Sequence, residues 1–83
     1  MLDTKQKYVR LKRYDEFIIF PITIEHSMFE MQKPISAGFC YIGENQIQCF
    51  GESFSLKLKS HPDDSKLATK QIFGFDAMLD MHT

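Results

Sequence analysis

The chain contains few cysteines and few glycines. Two cysteines among 83 residues are too few for a disulfide scaffold, so we expect a protein of a reducing cytoplasm. The four glycines form neither GxGxxG nor GxxxxGK followed by Ser or Thr, the patterns in which backbone N–H groups hold phosphates. The sequence therefore excludes these two nucleotide-binding loops, and it predicts no cofactor and no small-molecule ligand.

Long hydrophobic runs are also missing. The longest covers residues 17–24 and is interrupted by Pro21 and Thr23, whereas a membrane-spanning helix needs about 18 or more apolar residues. The N-terminal residues lack the apolar stretch of a secretory signal. Because 43% of the residues are hydrophobic and 25% are charged, the composition is that of a globular protein. We expect residues 1–83 to form one compact domain without a membrane partner.

Metal-binding and catalytic patterns are absent from the sequence as well. The candidate metal ligands show no CxxC, HxxxH or HExxH spacing; they are Cys40, Cys49, His26, His61 and His82. Ser27 lies next to His26, but a catalytic triad is recognised by its arrangement in space, so this adjacency does not indicate one. The sequence therefore predicts no catalytic residue, no metal site and no enzymatic activity.

Runs of β-branched and aromatic residues predict an antiparallel sheet of four to five strands, at residues 8–11, 17–20, 35–42, 47–50 and 54–58. Residues 14–16 form a polar turn after the first strand. Residues 17–20 are apolar at every position, which predicts a central strand covered on both faces. Residues 54–58 alternate most regularly and predict a half-buried strand. Gly51 and Glu52 form either a tight turn before that strand or a bulge in one long strand.

The hairpin at residues 43–46 determines how the two cysteines lie. A two-residue turn at Glu44 and Asn45 places Cys40 opposite Cys49 in a non-hydrogen-bonded pair, which a disulfide can span. A three-residue loop separates the two thiols instead. In either arrangement we expect reduced thiols, because we expect a reducing compartment.

A short helix is predicted over residues 28–32. Ser27 and Glu30 match a capping box at its start, and Pro34 excludes a helical conformation for the residue before it. The helix is too short to be stable alone and needs tertiary packing. Inserted between the strands, it contributes to an α+β fold.

A second helix is predicted near the C-terminus, with Ser60 as its cap and Pro62 in its first turn. Gly74 either ends this helix or lies inside a longer helix that runs toward Met81. Its apolar stripe indicates that it packs on the sheet. The predicted fold class is therefore α+β: a small antiparallel sheet with a short inserted helix and a C-terminal helix packed on it.

Positive charge is concentrated at the N-terminal end. Residues 1–14 carry five cations and one aspartate, a net charge of +4, so residues 15–83 must carry −5 to give the total of −1. In an extended strand, tyrosines and cations alternate on one face, which suits stacking on bases and neutralising phosphates. The other interpretation is an edge strand that its charges protect from pairing. A nucleic-acid-binding module is our alternative hypothesis, with Tyr8, Arg10, Lys12, Arg13 and Tyr14 as its contacts.

Two segments share the pattern Met, large apolar residue, acidic residue, Met, at residues 28–31 and 78–81. The flexible thioether of methionine suits adaptable contact surfaces, although methionine also fills cores. We expect the last residues to form a surface that docks onto a protein partner or a second copy of the chain. The predicted partner-binding residues are Met28, Met31, Phe75, Met78, Leu79 and Met81.

The stretch SAGFCYI, followed by CFGESFSLKLKSHPDDSKLA, resembles small bacteriophage or prophage accessory proteins. This resemblance implies a bacterial cytoplasm and an accessory role such as inhibition of a host protein, and it transfers no catalytic residue. We therefore expect a small, non-enzymatic, intracellular binding protein that acts by protein–protein contact.

Overall fold

The computed structural model describes residues 5–74, which form an α+β structure. The elements are, in chain order, β1 (Gln6–Leu11), a 3₁₀ turn (Arg13–Asp15), β2 (Phe17–Pro21), a 3₁₀ helix (His26–Gln32), β3 (Pro34–Ile42), β4 (Ile47–Phe50), β5 (Glu52–Ser53), β6 (Leu58–Lys59) and α1 (Asp64–Phe73). β1 to β4 form an antiparallel sheet in the order β2-β1-β3-β4, and β5 pairs with β6 in a small second sheet. The predicted fold class is confirmed.

Both faces of the larger sheet are covered, because successive residues of a strand point to opposite faces. α1 covers the face that carries Tyr8, while the 3₁₀ helix and the β5–β6 segment cover the face that carries Val9. The core under α1 contains Tyr8, Phe17, Cys40, Ile47 and Ala68, and the opposite core contains Val9, Leu11, Phe20 and Ala37. β1 therefore supplies buried side chains to both cores.

β2 is an edge strand of this sheet, and the prediction that residues 17–20 form a central strand is wrong. In the described part of the chain it pairs with β1, with Phe17 opposite Arg10. Its residues are apolar on both faces because Phe17 packs under α1, while the Phe20 ring lies 4.5 Å from the Phe29 ring of the 3₁₀ helix. Burial on two faces does not require a strand on each side.

The strand predicted over residues 54–58 does not form. Residues 54–57 make a turn between β5 and β6, and the Ser53 hydroxyl accepts a hydrogen bond of 3.2 Å from the Leu56 N–H. Phe54, the first apolar position of the pattern, is 83% exposed. A serine hydroxyl that bonds nearby backbone competes with strand pairing, so the alternation does not become a strand. Gly51, with a φ of 78°, separates β4 from β5, so residues 47–59 are not one long strand.

The predicted caps of both helices are wrong. The short helix is a 3₁₀ helix that begins at His26 without a side-chain cap, so Ser27 lies inside it. α1 begins at Asp64 rather than directly after Ser60, and its N-cap residue, Asp63, makes no capping hydrogen bond. Neither helix therefore begins at the capping residue that the sequence pattern predicted.

α1 lies against β4, the other edge strand, and two of its side chains bond the backbone of that strand. The Thr69 hydroxyl accepts the Ile47 N–H at 2.9 Å, and the Ser65 hydroxyl accepts the Cys49 N–H at 2.7 Å. Residues four apart in a helix and two apart in a strand share a face, so the two pairs match in register. α1 thus occupies hydrogen-bonding positions that an open edge would offer to another chain.

Gly74 ends α1 in the left-handed conformation, with a φ of 79° and a hydrogen bond of 2.8 Å from its N–H to the Lys70 carbonyl. The helix therefore does not continue through Gly74. Just before this end, the Gln71 amide accepts the Phe17 N–H at 2.8 Å and donates to the Asp15 carbonyl at 2.9 Å. The end of α1 is thereby fixed to the loop between β1 and β2. The predicted contact residues Phe75, Met78, Leu79 and Met81 lie outside the described residues.

Candidate functional site at the β1–β2 loop

The loop between β1 and β2 presents three consecutive side chains to solvent. The Leu11 N–H bonds the Glu16 carbonyl at 2.7 Å, and Tyr14 and Asp15 adopt positive φ values of 61° and 49°. The Asp15 carboxylate accepts hydrogen bonds of 2.9 and 3.1 Å from the Arg10 guanidinium, and these bonds connect the loop to β1. Lys12, Arg13 and Tyr14 are consequently displayed at its tip, and Tyr14 is 81% exposed.

The 3₁₀ helix presents two methionines on its outer side. A 3₁₀ helix has three residues per turn, so Met28 and Met31 lie one above the other. Met28 is 71% exposed and Met31 is 90% exposed, while His26 on the inner side of the helix is buried. Lys33, with a φ of 57°, ends the helix in the left-handed conformation and turns the chain into β3. The predicted contact residues Met28 and Met31 are therefore accessible.

The loop and the end of the 3₁₀ helix meet in a concavity of about 510 Å³, which we call the basic groove. It is lined by Lys12, Arg13, Met31, Gln32 and Lys33. Three of these five residues are cations and none is acidic. Within residues 5–74 none of the three cations forms an ion pair; the Arg13 guanidinium instead lies 5.3 Å from the centre of the Tyr14 ring. Unneutralised positive charge thus surrounds an exposed apolar side chain.

The basic groove joins residues that the sequence assigned to two different hypotheses. Lys12 and Arg13 belonged to the predicted nucleic-acid-binding surface, and Met31 to the predicted partner-binding surface. Sequence reasoning missed Gln32 and Lys33, because only the packing of the 3₁₀ helix brings its end beside the β1–β2 loop. The one sequence signal was Lys33, which directly precedes Pro34. Because the residue before a proline is disfavoured in a helix, this position indicated a cation at the end of the short helix.

The predicted alternation of tyrosines and cations on one accessible face is not formed, which corrects the placement of Tyr8 and Arg10. Tyr8 is fully buried beneath α1, and the Arg10 side chain is 12% exposed. The strand that should have displayed them is central in the sheet and covered on both faces. Of the five predicted nucleic-acid contacts, Lys12, Arg13 and Tyr14 remain at the surface.

Tyr8 and Arg10 belong to a buried polar network centred on Asp64. The fully buried Asp64 carboxylate accepts hydrogen bonds from the Tyr8 hydroxyl, from the Ser36 hydroxyl at 2.8 Å, from the His61 N–H at 2.9 Å and from Arg10 at 2.9 Å. Burial, reinforced by the bond to Asp64, raises the pKa of Tyr8 above its ordinary value. Every partner of the carboxylate is a donor, so it is saturated, and the network joins β1, β3 and α1.

The two cysteines face each other but are poor nucleophiles. Ile42 pairs with Ile47 and Cys40 with Cys49, and the Gly43 N–H bonds the Gln46 carbonyl at 2.8 Å, which is the register of the two-residue turn. Both are free cysteines. Burial raises the pKa of the Cys40 thiol to about 11 and that of the Cys49 thiol to about 12. A reactive thiol needs a lowered pKa and access to solvent.

His26 is buried between aromatic rings. Its Nε2 forms a hydrogen bond of 2.8 Å with the Gly38 carbonyl, and the rings of Phe20 and Phe39 contact it edge to face. Burial lowers the pKa of His26, because the charged imidazolium loses its hydration there. The neutral imidazole is therefore the form that the fold favours.

A second concavity, of about 250 Å³, lies on the β5–β6 segment around Phe54 and Lys57. Its lining contains Glu52 as well as lysines, so its charge is mixed. Within the described residues, no three His, Cys, Asp or Glu side chains come together as a metal site. No helix in residues 5–74 is long and apolar enough to cross a membrane.

No protein-family model, no curated protein and no solved structure matches the chain. The resemblance to bacteriophage accessory proteins stays a prediction that depends on the two sequence segments.

Proposed function

We propose that this chain is a small, non-enzymatic, cytoplasmic binding protein that contacts a partner protein through the basic groove and the adjacent methionines. The observation that carries the proposal is the 90% exposure of Met31 beside three cations that have no carboxylate partner within residues 5–74. Contiguous exposed apolar patches rimmed by polar groups are typical of protein contact sites, and Met28 and Met31 lie one above the other on this surface. Methionine and arginine are also enriched at such interfaces.

Four of the titratable side chains in the described residues are unsuited to catalysis. His26 is buried with a lowered pKa, the thiols of Cys40 and Cys49 have raised pKa values, and Asp64 is saturated by donors. Catalytic groups need access to a substrate and a pKa matched to their task. None of these described groups meets both requirements.

The resemblance to bacteriophage accessory proteins adds a partner class to the proposal, namely a protein of a bacterial host whose activity is inhibited on binding. Partner and inhibition both remain parts of the proposal.

The test is capture of partners from a nuclease-treated bacterial lysate with the immobilised full chain. We expect at least one protein to be captured by the wild type and lost with Met28→Ala/Met31→Ala, since each methionine exposes most of its apolar surface. Phe54→Ala is the matched control, because Phe54 is 83% exposed on a different surface. Capture that survives the methionine substitutions, or that Phe54→Ala abolishes equally, would contradict the proposal.

The C-terminal residues make a separate contribution to this hypothesis. We expect deletion of residues 76–83 to leave a folded domain that has lost partner binding or self-association. Circular dichroism of the shortened chain measures its folding, light scattering measures its self-association, and the lysate capture measures its partner binding. A shortened chain that does not fold would assign these residues to the core, and one that retains all association would refute their role as contacts.

Nucleic-acid binding is the second candidate function, and the exposure of Lys12, Arg13 and Tyr14 is the observation in its favour. Phosphate contacts would make binding weaken steeply with salt, and Lys12→Ala/Arg13→Ala should reduce it for all sequences. Arg10→Ala is unsuitable for this test because Arg10 is ion-paired with Asp64. Undetectable binding to single- and double-stranded DNA and RNA at low salt would exclude the candidate.

A further inference from the structure

The cations of the basic groove differ from the neighbouring arginine in how their charge is compensated. Arg10 is held at 2.9 Å from each of two carboxylates, those of Asp15 and Asp64. Lys12, Arg13 and Lys33 have no such partner among residues 5–74. Single exposed cations are common on protein surfaces, but these three residues line one concavity together with an apolar residue. The groove is therefore complementary to a ligand that is both anionic and apolar.

We propose that the occupant of the basic groove is an acidic peptide segment of the partner, with one apolar side chain against Met31 and carboxylates on either side of it. This inference rests on the proposed function and names the chemistry of its partner. The Arg13 guanidinium takes a carboxylate in a two-point hydrogen-bonded geometry, while Lys12 and Lys33 act as point charges. The thioether of Met31 adapts its shape to the apolar side chain.

The size of the groove fits this occupant. Its volume of about 510 Å³ leaves space for one large apolar side chain, and the 90% exposure of Met31 shows that this space is open to solvent.

The aromatic residues favour a peptide over a nucleic acid. A single strand binds where several aromatic rings in series stack on its bases along a basic track. Beside this groove the Tyr14 ring is exposed, with the Arg13 guanidinium 5.3 Å from its centre, whereas Tyr8 is fully buried.

The experiment uses the full chain with ¹³C-labelled methionine methyl groups and three synthetic peptides. EDEFEDE has both required features, QNQFQNQ lacks the charge, and EDEGEDE lacks the apolar side chain. We expect EDEFEDE to shift the methyl signals of Met28 and Met31, assigned with Met28→Leu and Met31→Leu, and to bind at least about tenfold more tightly than either control peptide. Raising the salt concentration from about 0.05 to about 0.5 M should weaken this binding in the unmodified protein, because exposed charges are screened.

Charge reversal at the groove provides the matched pair of variants. Lys12→Glu/Arg13→Glu/Lys33→Glu should reduce binding of EDEFEDE by at least about tenfold. Lys57→Glu/Lys59→Glu/Lys66→Glu changes the net charge equally at exposed positions elsewhere and should leave binding unchanged. Equal binding of QNQFQNQ or EDEGEDE, no methyl shift with EDEFEDE, or tighter binding of a short oligothymidylate to the same methyls would overturn the proposal.

The inference and the proposed function fail separately. A captured protein that is lost with Met28→Ala/Met31→Ala but retained by the groove charge-reversal variant would leave a partner contact through the methionines standing and refute the acidic occupant. A captured protein that is lost with both variants, and retained by both control variants, supports the two together.

Discussion

Replacing Asp64 by asparagine tests whether the buried polar network stabilises the fold. The Asp64 carboxylate is fully buried and receives four donors, from Tyr8, Ser36, His61 and Arg10. Asparagine has nearly the same shape but keeps one acceptor oxygen and gains an N–H₂ group. In either orientation the new donor faces a donor, and Arg10 loses one of its two carboxylate partners.

The expected cost follows from these contacts. Removing one partner of a buried ion pair costs about 3–5 kcal/mol, because the other charge stays buried without compensation. Arg10 keeps its contact with Asp15, where the Asp15 side chain is 52% exposed, so we expect the lower end of the range, about 3 kcal/mol. A chain of 83 residues has a free energy of unfolding of about 4–12 kcal/mol, so this loss is a large fraction of the total.

Urea denaturation followed by circular dichroism measures this loss as a lower midpoint with an unchanged slope. Asp63→Asn is the matched control, since the neighbouring Asp63 side chain is 69% exposed and caps nothing, and its effect should be within about 0.5 kcal/mol. Tyr8→Phe removes one donor, and its effect should not add to that of Asp64→Asn, because the two groups are hydrogen-bonded. A loss below about 1 kcal/mol for Asp64→Asn, or one equal to that of Asp63→Asn, would refute the reasoning.

Three further predictions concern the backbone, a histidine and the thiols. Gly38→Ala should destabilise the protein more than Gly74→Ala, because a Cβ at position 38 would lie 2.4 Å from the Phe50 carbonyl oxygen of β4. A Cβ at position 74 would meet nothing within 4 Å, so that substitution costs only the strain of the left-handed φ, about 1 kcal/mol. Thermal melting measures both losses, and a larger loss for Gly74→Ala would contradict the prediction. Because the pKa of His26 is lowered by folding, the stability it contributes is complete above its ordinary pKa of about 6.5 and is lost as the pH falls below it. His26→Gln should therefore show a smaller loss in urea midpoint between about pH 7 and 5 than the wild type, and an equal loss would count against this assignment. Burial raises the pKa values of Cys40 and Cys49 to about 11 and 12, so both thiols should react with a disulfide reagent at pH 8 far more slowly in the folded protein than in urea, because burial disfavours the reactive thiolate. Equal rates in the folded and urea-unfolded protein would exclude the burial observed.

Local features of the sequence determined most of the secondary structure. The apolar runs before and after residues 43–46 become β3 and β4 in the register of a two-residue turn, because side-chain alternation and the turn fix that pairing together. The polar residues 14–16 lie in and beside a tight turn, and a short helix precedes Pro34, as expected. These elements depend on neighbours in the chain, so a local pattern is sufficient to predict them.

Tertiary structure alone decided which faces of these elements are buried. β1 carries tyrosine and arginine at positions that an isolated strand would expose, yet Asp64, more than fifty residues later, draws Tyr8 and Arg10 into the core through hydrogen bonds. Likewise, Ser65 and Thr69 are ordinary polar residues in the sequence, and their role at the edge of β4 exists only because α1 packs there.

The basic groove is the clearest case of a feature that no local pattern contains. Lys12 and Arg13 come from one turn, Met31 and Lys33 from the end of a 3₁₀ helix, and a stretch of chain that includes β2 separates them. Their proximity results from the 3₁₀ helix packing over β1 and β2 through Phe29. The sequence could predict that each of these residues was suited to contact, because charge and thioether chemistry are local properties. It could not predict that they share one surface, because that depends on long-range packing.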